Sequence, residues 1–305
     1  MKKILKVLIF LLAPSNIFGQ LTPMTNQYVL NPIIINPSCA GARGTLNMAT
    51  FYRNQWVGID GSPKTMTLAV DAPLLNKKIG LGLIIVNDKI GVKKDNQFIL
   101  NYAFNINLGE SFLSMGLGAG ITMTNVSWSD LVVLDPGDEL YLVDSRVFII
   151  PDFSFGLYYT NKNYFAGFSM PQFLTARFNS DKNGYTLAND PKQYNYLFNT
   201  GIELEFATNF KFFPSALFIY TPGEKLQYDI NAHFGFRDLI RIGGSYRNNR
   251  SIAAMLQVQL NNQLRIACSY DFDVGKLRRY SAGSYEIMVR YLFSYKVDAI
   301  NPVNF

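Results

Sequence analysis

The chain repeats a two-residue alternation of apolar and polar side chains along most of its length. It is clearest over residues 263–274, where Leu264, Ile266 and Cys268 alternate with polar or small side chains. Successive side chains of a strand point to opposite faces, so this pattern predicts a strand with one apolar and one polar face. A long series of such strands, about ten residues each, is typical of a transmembrane β-barrel with lipid outside.

The alternation predicts about 14 strands, an even number as in single-chain bacterial barrels. The predicted strands are residues 45–56, 64–72, 79–87, 96–107, 112–126, 150–159, 163–171, 194–206, 210–219, 225–236, 239–247, 251–260, 263–274 and 284–293. Longer connections (57–63, 88–95, 127–149, 172–193, 276–283) alternate with tight turns (108–111, 160–162, 207–209, 237–238, 261–262). Outer-membrane barrels show this asymmetry, with short periplasmic turns and long outer loops.

A soluble sandwich of two antiparallel sheets is the alternative, because its strands also alternate. Its solvent face would carry many Lys and Glu side chains. Here the polar face holds mostly Asn, Gln, Ser and Gly with isolated charges, and the chain has 24 Phe and 18 Tyr but 2 Trp. Aromatic residues at strand ends match the girdles of a membrane barrel. The pattern therefore favours an all-β, transmembrane outer-membrane antiparallel barrel over residues 45–294.

Residues 1–20 are predicted to be a secretory signal peptide. A basic start precedes a short apolar core at residues 7–13, and Gly19 is small enough to precede a cleavage site. A membrane-anchor helix is the alternative, but the apolar run is shorter than the roughly 20 residues that a span needs. After cleavage we expect the protein in the outer membrane of a Gram-negative cell.

Residues 21–44 differ from the barrel because they contain Pro23, Pro32 and Pro37, and Asn-Pro occurs twice. Proline removes backbone donors and Asn-Pro favours turns. We predict an extended segment with one short helical turn near residues 26–30. It either docks to a periplasmic partner or folds into the lumen as a plug, and residues 295–305 form a periplasmic tail.

Charge and chemistry exclude several functions. Once the three lysines of the leader are removed, 25 basic residues oppose 22 acidic ones, too small an excess to indicate a nucleic-acid partner. The chain lacks the GxSxG, HExxH, P-loop and paired-cysteine motifs, so we expect no cofactor, no metal and no enzyme activity. An outer-membrane hydrolase is a remote alternative, in which His233, the single histidine, would pair with Ser245. Cys39 and Cys268 could pair, but the apolar register of Cys268 favours a free thiol.

Two local motifs stand out, NPSCAG at residues 36–41 and YRNQWVGIDGSPKT at residues 52–65. The second reads as the end of a strand entering a Gly/Pro turn. Trp56 would lie at the membrane interface, with Arg53 and Gln55 directed into the lumen. On physical grounds alone, a hairpin that needs these residues only for its geometry is the favoured explanation of the motif.

This pair of motifs resembles the PorP/SprF family of the type IX secretion system and gliding machinery of Bacteroidetes. Gly80-Leu81-Gly82, residues 101–104 and residues 284–288 extend the resemblance along the mature chain, while Cys39 and Tyr285 depart from it. The resemblance implies a non-enzymatic outer-membrane component. Its partners would be the secretion machinery in the periplasm and outer membrane, and secreted, adhesin-like cargo with a C-terminal sorting domain.

We expect recognition to lie on the long loops, because loops on a rigid barrel often carry binding sites. Capping of the pore is the other role open to them. The residues predicted to contact partners are Arg53, Gln55, Trp56, Asp60, Asp135, Asp138, Glu139, Arg177 and Lys182. The competing function is an outer-membrane channel of the small-molecule or fatty-acid type, since 14 strands enclose a wide lumen. Inward charges of mixed sign should pair with one another, because unpaired buried charge is costly.

Overall fold

A computed structural model describes residues 25–74, 77–130, 144–173, 175–179, 184–188, 190–248 and 250–293. The predicted signal peptide, residues 1–20, and the predicted tail, residues 295–305, lie outside these ranges. Within them, no helix has the length and apolar character needed to cross a membrane.

The described residues form a closed antiparallel barrel of 14 strands. One half contains β1 (Leu46–Asn54), β2 (Lys64–Leu74), β3 (Ile79–Ile90), β4 (Lys93–Asn107), β5 (Phe112–Val126), β6 (Phe148–Thr160) and β7 (Tyr164–Met170). A hairpin of β8 (Thr175–Asn179) and β9 (Gly184–Ala188) follows. The other half contains β10 (Tyr196–Ile202), β11 (Leu204–Ala207), β12 (Phe210–Tyr220), β13 (Gln227–Phe236), β14 (Ile240–Arg247), β15 (Ser251–Gln259), β16 (Leu264–Asp273) and β17 (Ser284–Phe293).

Closure of the barrel depends on two pairings that join the halves. The first and last strands, β1 and β17, pair from Leu46↔Phe293 to Asn54↔Tyr285. On the other side β10 pairs with both β7 and β12. Strands β10 and β11 both pair with β12 and act as one barrel strand interrupted at Glu203. With β10 and β11 counted as one, each of the 14 barrel strands in the described structure pairs with a neighbour on both sides, which closes the sheet.

All 14 predicted strands are confirmed, with shifts of up to three residues at their ends. Three features differ from the prediction. The break at Glu203 lies inside a predicted single strand, and the hairpin β8–β9 lies inside the predicted loop 172–193. The predicted longer connection 88–95 is wrong, because β3 continues to Ile90 and β4 begins at Lys93, which leaves a two-residue turn. All three departures are local, so the predicted order and direction of the barrel strands stand.

The outer face of the barrel is apolar, as the alternation predicts. Leu100 is 66% exposed, whereas its neighbour Asn101 is 4% exposed because it faces inward. The same contrast holds in β13, where Ile230 and Phe234 are exposed and Asn231 is buried. Exposed apolar side chains on successive strands provide a surface for acyl chains.

The interior of the barrel is filled by residues 25–44, which we call the luminal segment. It contains three short 3-10 turns, Asn26–Val29, Pro32–Ile34 and Pro37–Cys39, the first of which matches the predicted helical turn. Leu30, Ile33, Cys39 and Ala40 pack in an apolar cluster with the inward-facing side chains Ala49, Phe51, Ala69, Ile84, Val86, Ala103, Met255, Ala267 and Met288. The inward face is therefore less polar than the sequence pattern suggested, because part of it packs against this segment.

Candidate functional site in the barrel lumen

The lumen has two ends that differ in their connections. At one end, residues 55–63 and 274–283 connect strands through longer loops, and we call this the loop end. At the opposite end, the turns around residues 161–163, 237–239 and 260–263 are short, and we call this the turn end. The luminal segment begins near the loop end at Thr25 and reaches the turn end at Gly44, so it crosses the whole lumen.

A cluster of charges at the loop end holds the start of the luminal segment. Arg53 of β1 forms ion pairs with its cross-strand partner Glu286 and with Asp271 of β16, at 3.1 Å for the latter. Thr25 Oγ1 donates to Glu286 Oε2 at 2.6 Å, and the backbone N–H of Asn26 donates to the same carboxylate at 3.0 Å. Three neighbouring strands thus supply the charges, and the segment satisfies the carboxylate oxygens that remain.

A second ion pair secures the segment from β13 and β14, which are separated from β16 by β15 in the barrel wall. Arg247 and Asp229 are cross-strand partners in β13 and β14, and the guanidinium donates to both carboxylate oxygens at 2.7 and 2.9 Å. Arg247 Nη2 also donates to Asn26 Oδ1 at 3.3 Å. Tyr28 accepts a hydrogen bond from Asn231 Nδ2 at 2.9 Å. A bidentate pair of this kind neutralises the charge of the guanidinium and also holds the side chain in one orientation.

The NPSCAG motif makes the central contacts of the luminal segment. The Asn36 side-chain amide donates to the carbonyl oxygens of Leu157 and Phe168, at 3.0 and 3.3 Å, and its oxygen accepts from the Ser38 backbone N–H. Ser169 Oγ donates to the carbonyl of Ile35 at 2.7 Å. These contacts satisfy buried polar groups of the segment with groups of β6 and β7, as burial requires.

Glycines in the barrel wall make room for the same motif. A Cβ at Gly116 would collide with the Ser38 backbone, and one at Gly80 would collide with the Ala40 carbonyl. A Cβ at Gly156 would collide with the Asn36 side chain. The three glycines come from β3, β5 and β6 and face inward. Close approach of two backbones is a role that glycine fills because it has no side chain.

The luminal segment also turns back into the wall at Gly41. This residue has a φ of +69°, in the left-handed region, and its N–H donates to Asp71 Oδ2 at 3.0 Å. Asn47 Nδ2 donates to the other oxygen of Asp71 at 2.6 Å. The last residue of the motif is therefore fixed by backbone conformation and by a buried carboxylate together.

Two cavities lie in the lumen beside the luminal segment. A cavity of about 90 Å³ lies towards the loop end, between Ile34, Arg53 and Asp152. A larger cavity of about 380 Å³ lies towards the turn end, between Leu30, Arg43 and Arg290. The luminal segment separates the two.

The YRNQWVGIDGSPKT motif connects neighbouring loops at the loop end. Val57 donates to the Gly283 carbonyl at 2.8 Å and accepts from Ala282 at 2.8 Å. Trp56, whose φ of +52° is uncommon for a residue other than glycine, donates its N–H to Ser284 Oγ at 3.1 Å. Gly91 donates to the Gly61 carbonyl at 2.8 Å. The motif therefore ties three connections into one rim.

Several predicted partner-binding residues meet at this rim, and others lie outside the described residues. Arg53 is buried in the charge cluster, Gln55 and Trp56 are half-buried beside it, and Asp60 is exposed at the tip of the loop. Arg177 lies on the β8 strand, and its side chain is outside the description. Asp135, Asp138, Glu139 and Lys182 are outside the described residues altogether.

The remote hydrolase hypothesis requires a hydrogen bond between His233 and Ser245. In the sheet, His233 is directly opposite Gly243, and Ser245 is opposite Asn231. His233 is fully buried, and neither of its ring nitrogens has a hydrogen-bond partner among the described residues. The geometry therefore does not form this dyad.

Sequence reasoning missed two features of the lumen. One is the set of inward-facing glycines, which we call the glycine wall (Gly80, Gly116 and Gly156), and the other is the role of Asn26 and Asn36. A signal was present, because Gly80, Gly82, Gly116 and Gly118 all fall on the inward register of their strands. Glycine weakens a strand unless something approaches closely, so inward glycines on adjacent strands indicate a contacting segment.

The closed sheet, apolar exterior and filled lumen define a β-barrel protein of the outer membrane. The crystal structure of the Acinetobacter baumannii outer membrane protein Omp33 is similar, with 7% identity, 82% of this chain and 98% of that chain covered, and a TM-score of 0.50. The CymD monoaromatic hydrocarbon channel matches with 12% identity, 91% and 95% coverage and a TM-score of 0.49. At these identities the likeness concerns the fold alone.

The family model of the type IX secretion system membrane protein PorP/SprF matches residues 17–291. The chain belongs to this family, as its two motifs predicted, and it is an outer-membrane protein. No curated protein sequence matches it.

Proposed function

We propose that this protein is a closed scaffold of the type IX secretion system, which supports the secretion or surface attachment of adhesin-like cargo. Membership of the family supports a role in secretion. The single observation that carries the choice of a scaffold over a channel is the luminal segment, which fills the barrel and is bonded to opposite walls.

The bonding pattern explains why the segment should stay in place. Its start is held by Glu286, its middle by the carbonyls of Leu157 and Phe168, and its end by Asp71. Each buried hydrogen bond contributes about 1 kcal/mol net, and leaving a buried charge unpaired costs more. Leaving the lumen would break many of these bonds together, so thermal opening should be rare.

We propose that cargo contacts the rim at the loop end, which in this orientation faces outward because short turns face the periplasm. Asp60 is an exposed acidic residue of the described rim, and Gln55 and Trp56 are half-buried on the same connection. Asp135, Asp138, Glu139, Arg177 and Lys182 extend the proposed contact. Arg53 supports this surface from inside, since its ion pairs fix the end of β1. The turn end would contact the periplasmic machinery.

Charge reversal at the rim tests the contact with cargo. Asp60→Lys should lower surface display of the cargo several-fold while the amount of barrel in the outer membrane is unchanged, and cell-surface immunolabelling measures the display. Glu224→Lys is the matched control, because Glu224 is also exposed at the loop end but lies on the connection between β12 and β13, outside the rim. Equal cargo display in both variants and the wild type would count against a contact at Asp60.

Planar-bilayer recordings separate the scaffold from the diffusion channel. The scaffold predicts no steady conductance from the purified wild-type protein, because the luminal segment separates the two cavities. Stable single-channel steps that persist over the recording would instead support the channel.

A further inference from the structure

The turn-end cavity concentrates positive charge. Four arginines line it, Arg43 from the luminal segment and Arg241, Arg265 and Arg290 from β14, β16 and β17. Together with Lys162 at the adjacent turn they make five basic side chains, against the two carboxylates of Asp71 and Glu203. The charge of Arg290 is repelled by all three other arginines.

Two of these arginines oppose each other directly. Arg265 and Arg290 are cross-strand partners in β16 and β17 and share the inward face. Like charges at such positions destabilise a sheet. At the loop end, the corresponding cross-strand pairs combine Arg53 with Glu286 and Arg247 with Asp229.

The two carboxylates of the cavity attract the arginines, Asp71 acting on Arg43 and Arg290 and Glu203 on Arg241, but they do not pair with them directly. Asp71 accepts hydrogen bonds from Asn47 and from the Gly41 N–H, and Glu203 is paired with Lys211 at 2.8 Å. Within the described part of the chain, none of the four arginines forms an ion pair with a carboxylate. A charge without a counter-ion in a confined site is costly, so the arrangement calls for an anion.

Unused donors point to where the anion would bind. Arg290 is 2% exposed, and Nη1 donates to the Leu30 carbonyl at 2.9 Å while its Nε has no partner. Arg265 Nε is likewise without a partner in the described structure. Arg241 stacks on the Phe213 ring at 3.7 Å, which fixes its plane at the cavity wall. Fixed guanidinium groups present paired N–H donors, a geometry that matches phosphate oxygens.

We propose that the turn-end cavity binds a phosphate group carried by a small soluble molecule. The cavity volume of about 380 Å³ suits a compact anion with its bound water. Arg290 is 2% exposed and lies inside the lumen at the turn end, where a folded partner surface cannot reach it, and the barrel wall separates the lumen from lipid. The inference does not depend on the scaffold function, because it concerns the opposite end of the barrel.

Ligand-dependent stabilisation of the purified full-length barrel tests this site. The protein is held in a maltoside detergent without phosphate, and its unfolding midpoint is measured with phosphate or pyrophosphate against sodium chloride of matched ionic strength. Binding to the folded state raises the midpoint in a saturable way. We expect both phosphate probes to raise it, with pyrophosphate half-saturating at a lower concentration.

Removing one of the two opposed arginines distinguishes ligand binding from a structural role, because the affinity for the anion and the stability without anion should change in opposite directions or only the affinity should fall. Arg265→Gln should lower the affinity for pyrophosphate at least ten-fold, yet leave the midpoint without anion equal to or above that of the wild type, because it removes the repulsion of Arg290. Arg237→Gln is the matched control, since Arg237 also lies at the turn end but outside the cavity, and its affinity should equal that of the wild type.

Three other results have defined meanings. A response to soluble short-chain phosphatidylglycerol but not to phosphate or pyrophosphate would overturn the soluble source. A response to a hexaglutamate peptide alone would overturn the phosphate assignment and identify an acidic polypeptide instead. The proposal also fails if no probe shifts the midpoint, or if the shift is equal in Arg265→Gln and Arg237→Gln.

Discussion

The two ends of the lumen use buried arginine in opposite ways. At the loop end, Arg53 and Arg247 each face a carboxylate on the neighbouring strand, and the luminal segment adds hydrogen bonds to both clusters. At the turn end, Arg265 faces Arg290 and the nearby carboxylates bond elsewhere. The strand register decides whether an inward arginine lies opposite a carboxylate or opposite another arginine. Where the chain supplies the counter-charge it fixes a structure, and where it omits one it leaves a site for a ligand.

The largest effect should follow removal of the loop-end counter-charge. Glu286→Gln keeps the shape of the side chain but turns an amide towards Arg53, and it weakens the acceptor for Thr25 and Asn26. Breaking a buried ion pair from one side costs about 3–5 kcal/mol. We expect the free energy of unfolding, measured by urea titration in lipid or detergent, to fall by about 3 kcal/mol.

An exposed carboxylate at the other end is the control for that loss. Glu110 is 3.6 Å from Lys162 and both side chains are largely solvated, so Glu110→Gln should leave the stability within about 0.5 kcal/mol of wild type. If Glu286→Gln costs no more than Glu110→Gln, the luminal segment is not held by this carboxylate and the contrast between the ends disappears.

The sequence predicted the barrel well because alternation is a local property. It predicted the inward direction of Arg53 for the same reason, since the register of β1 decides it. It did not predict that Glu286 and Asp271 would be its partners, because strands distant in sequence meet through barrel closure. The hairpin β8–β9 was missed because two strands of five residues give too little alternation to recognise.

The binding position of the NPSCAG motif inside the barrel could not be predicted from the sequence for a related reason. In the sequence, Gly116 indicates only a residue that weakens its strand. Its role becomes clear when the segment that packs against it is known. The turn near residues 26–30 could be predicted from its own residues, but the path of the segment depends on contacts with four or more strands. The strands of the barrel wall could therefore be predicted from local sequence patterns. The path of the luminal segment could not, because it depends on tertiary contacts.

A smaller effect should follow when the glycine wall is filled. Gly116→Val places a side chain where the Ser38 backbone now lies, so residues 36–41 must move. We expect a loss of about 1–3 kcal/mol, the usual cost of overpacking. Cys39 reports the movement, because its thiol is buried in the lumen and therefore shielded from the reagent. In a Cys268→Ser background, Gly116→Val should speed maleimide labelling of Cys39 at least ten-fold.

An outward substitution in the same strand shows whether the effect is specific. Leu117 is exposed on the lipid face beside Gly116, so Leu117→Val changes the strand without touching the luminal segment. Labelling of Cys39 in this variant should match that of the Cys268→Ser parent. Equal labelling of Gly116→Val and Leu117→Val would mean that the wall does not hold the motif in place.

The smallest effect compares two tyrosine hydroxyls that both line the turn-end cavity, one hydrogen-bonded and the other not. Tyr28 accepts a hydrogen bond from the buried Asn231 amide, so Tyr28→Phe leaves that donor unsatisfied and should cost about 1 kcal/mol. Tyr158 lines the turn-end cavity, and its hydroxyl has no hydrogen-bond partner among the described residues. Tyr158→Phe should therefore leave the stability unchanged within about 0.5 kcal/mol. Equal losses on urea titration would show that the Tyr158 hydroxyl is satisfied as the Tyr28 hydroxyl is, and the turn-end cavity would then lose one of the unused polar groups that distinguish it from the loop-end clusters.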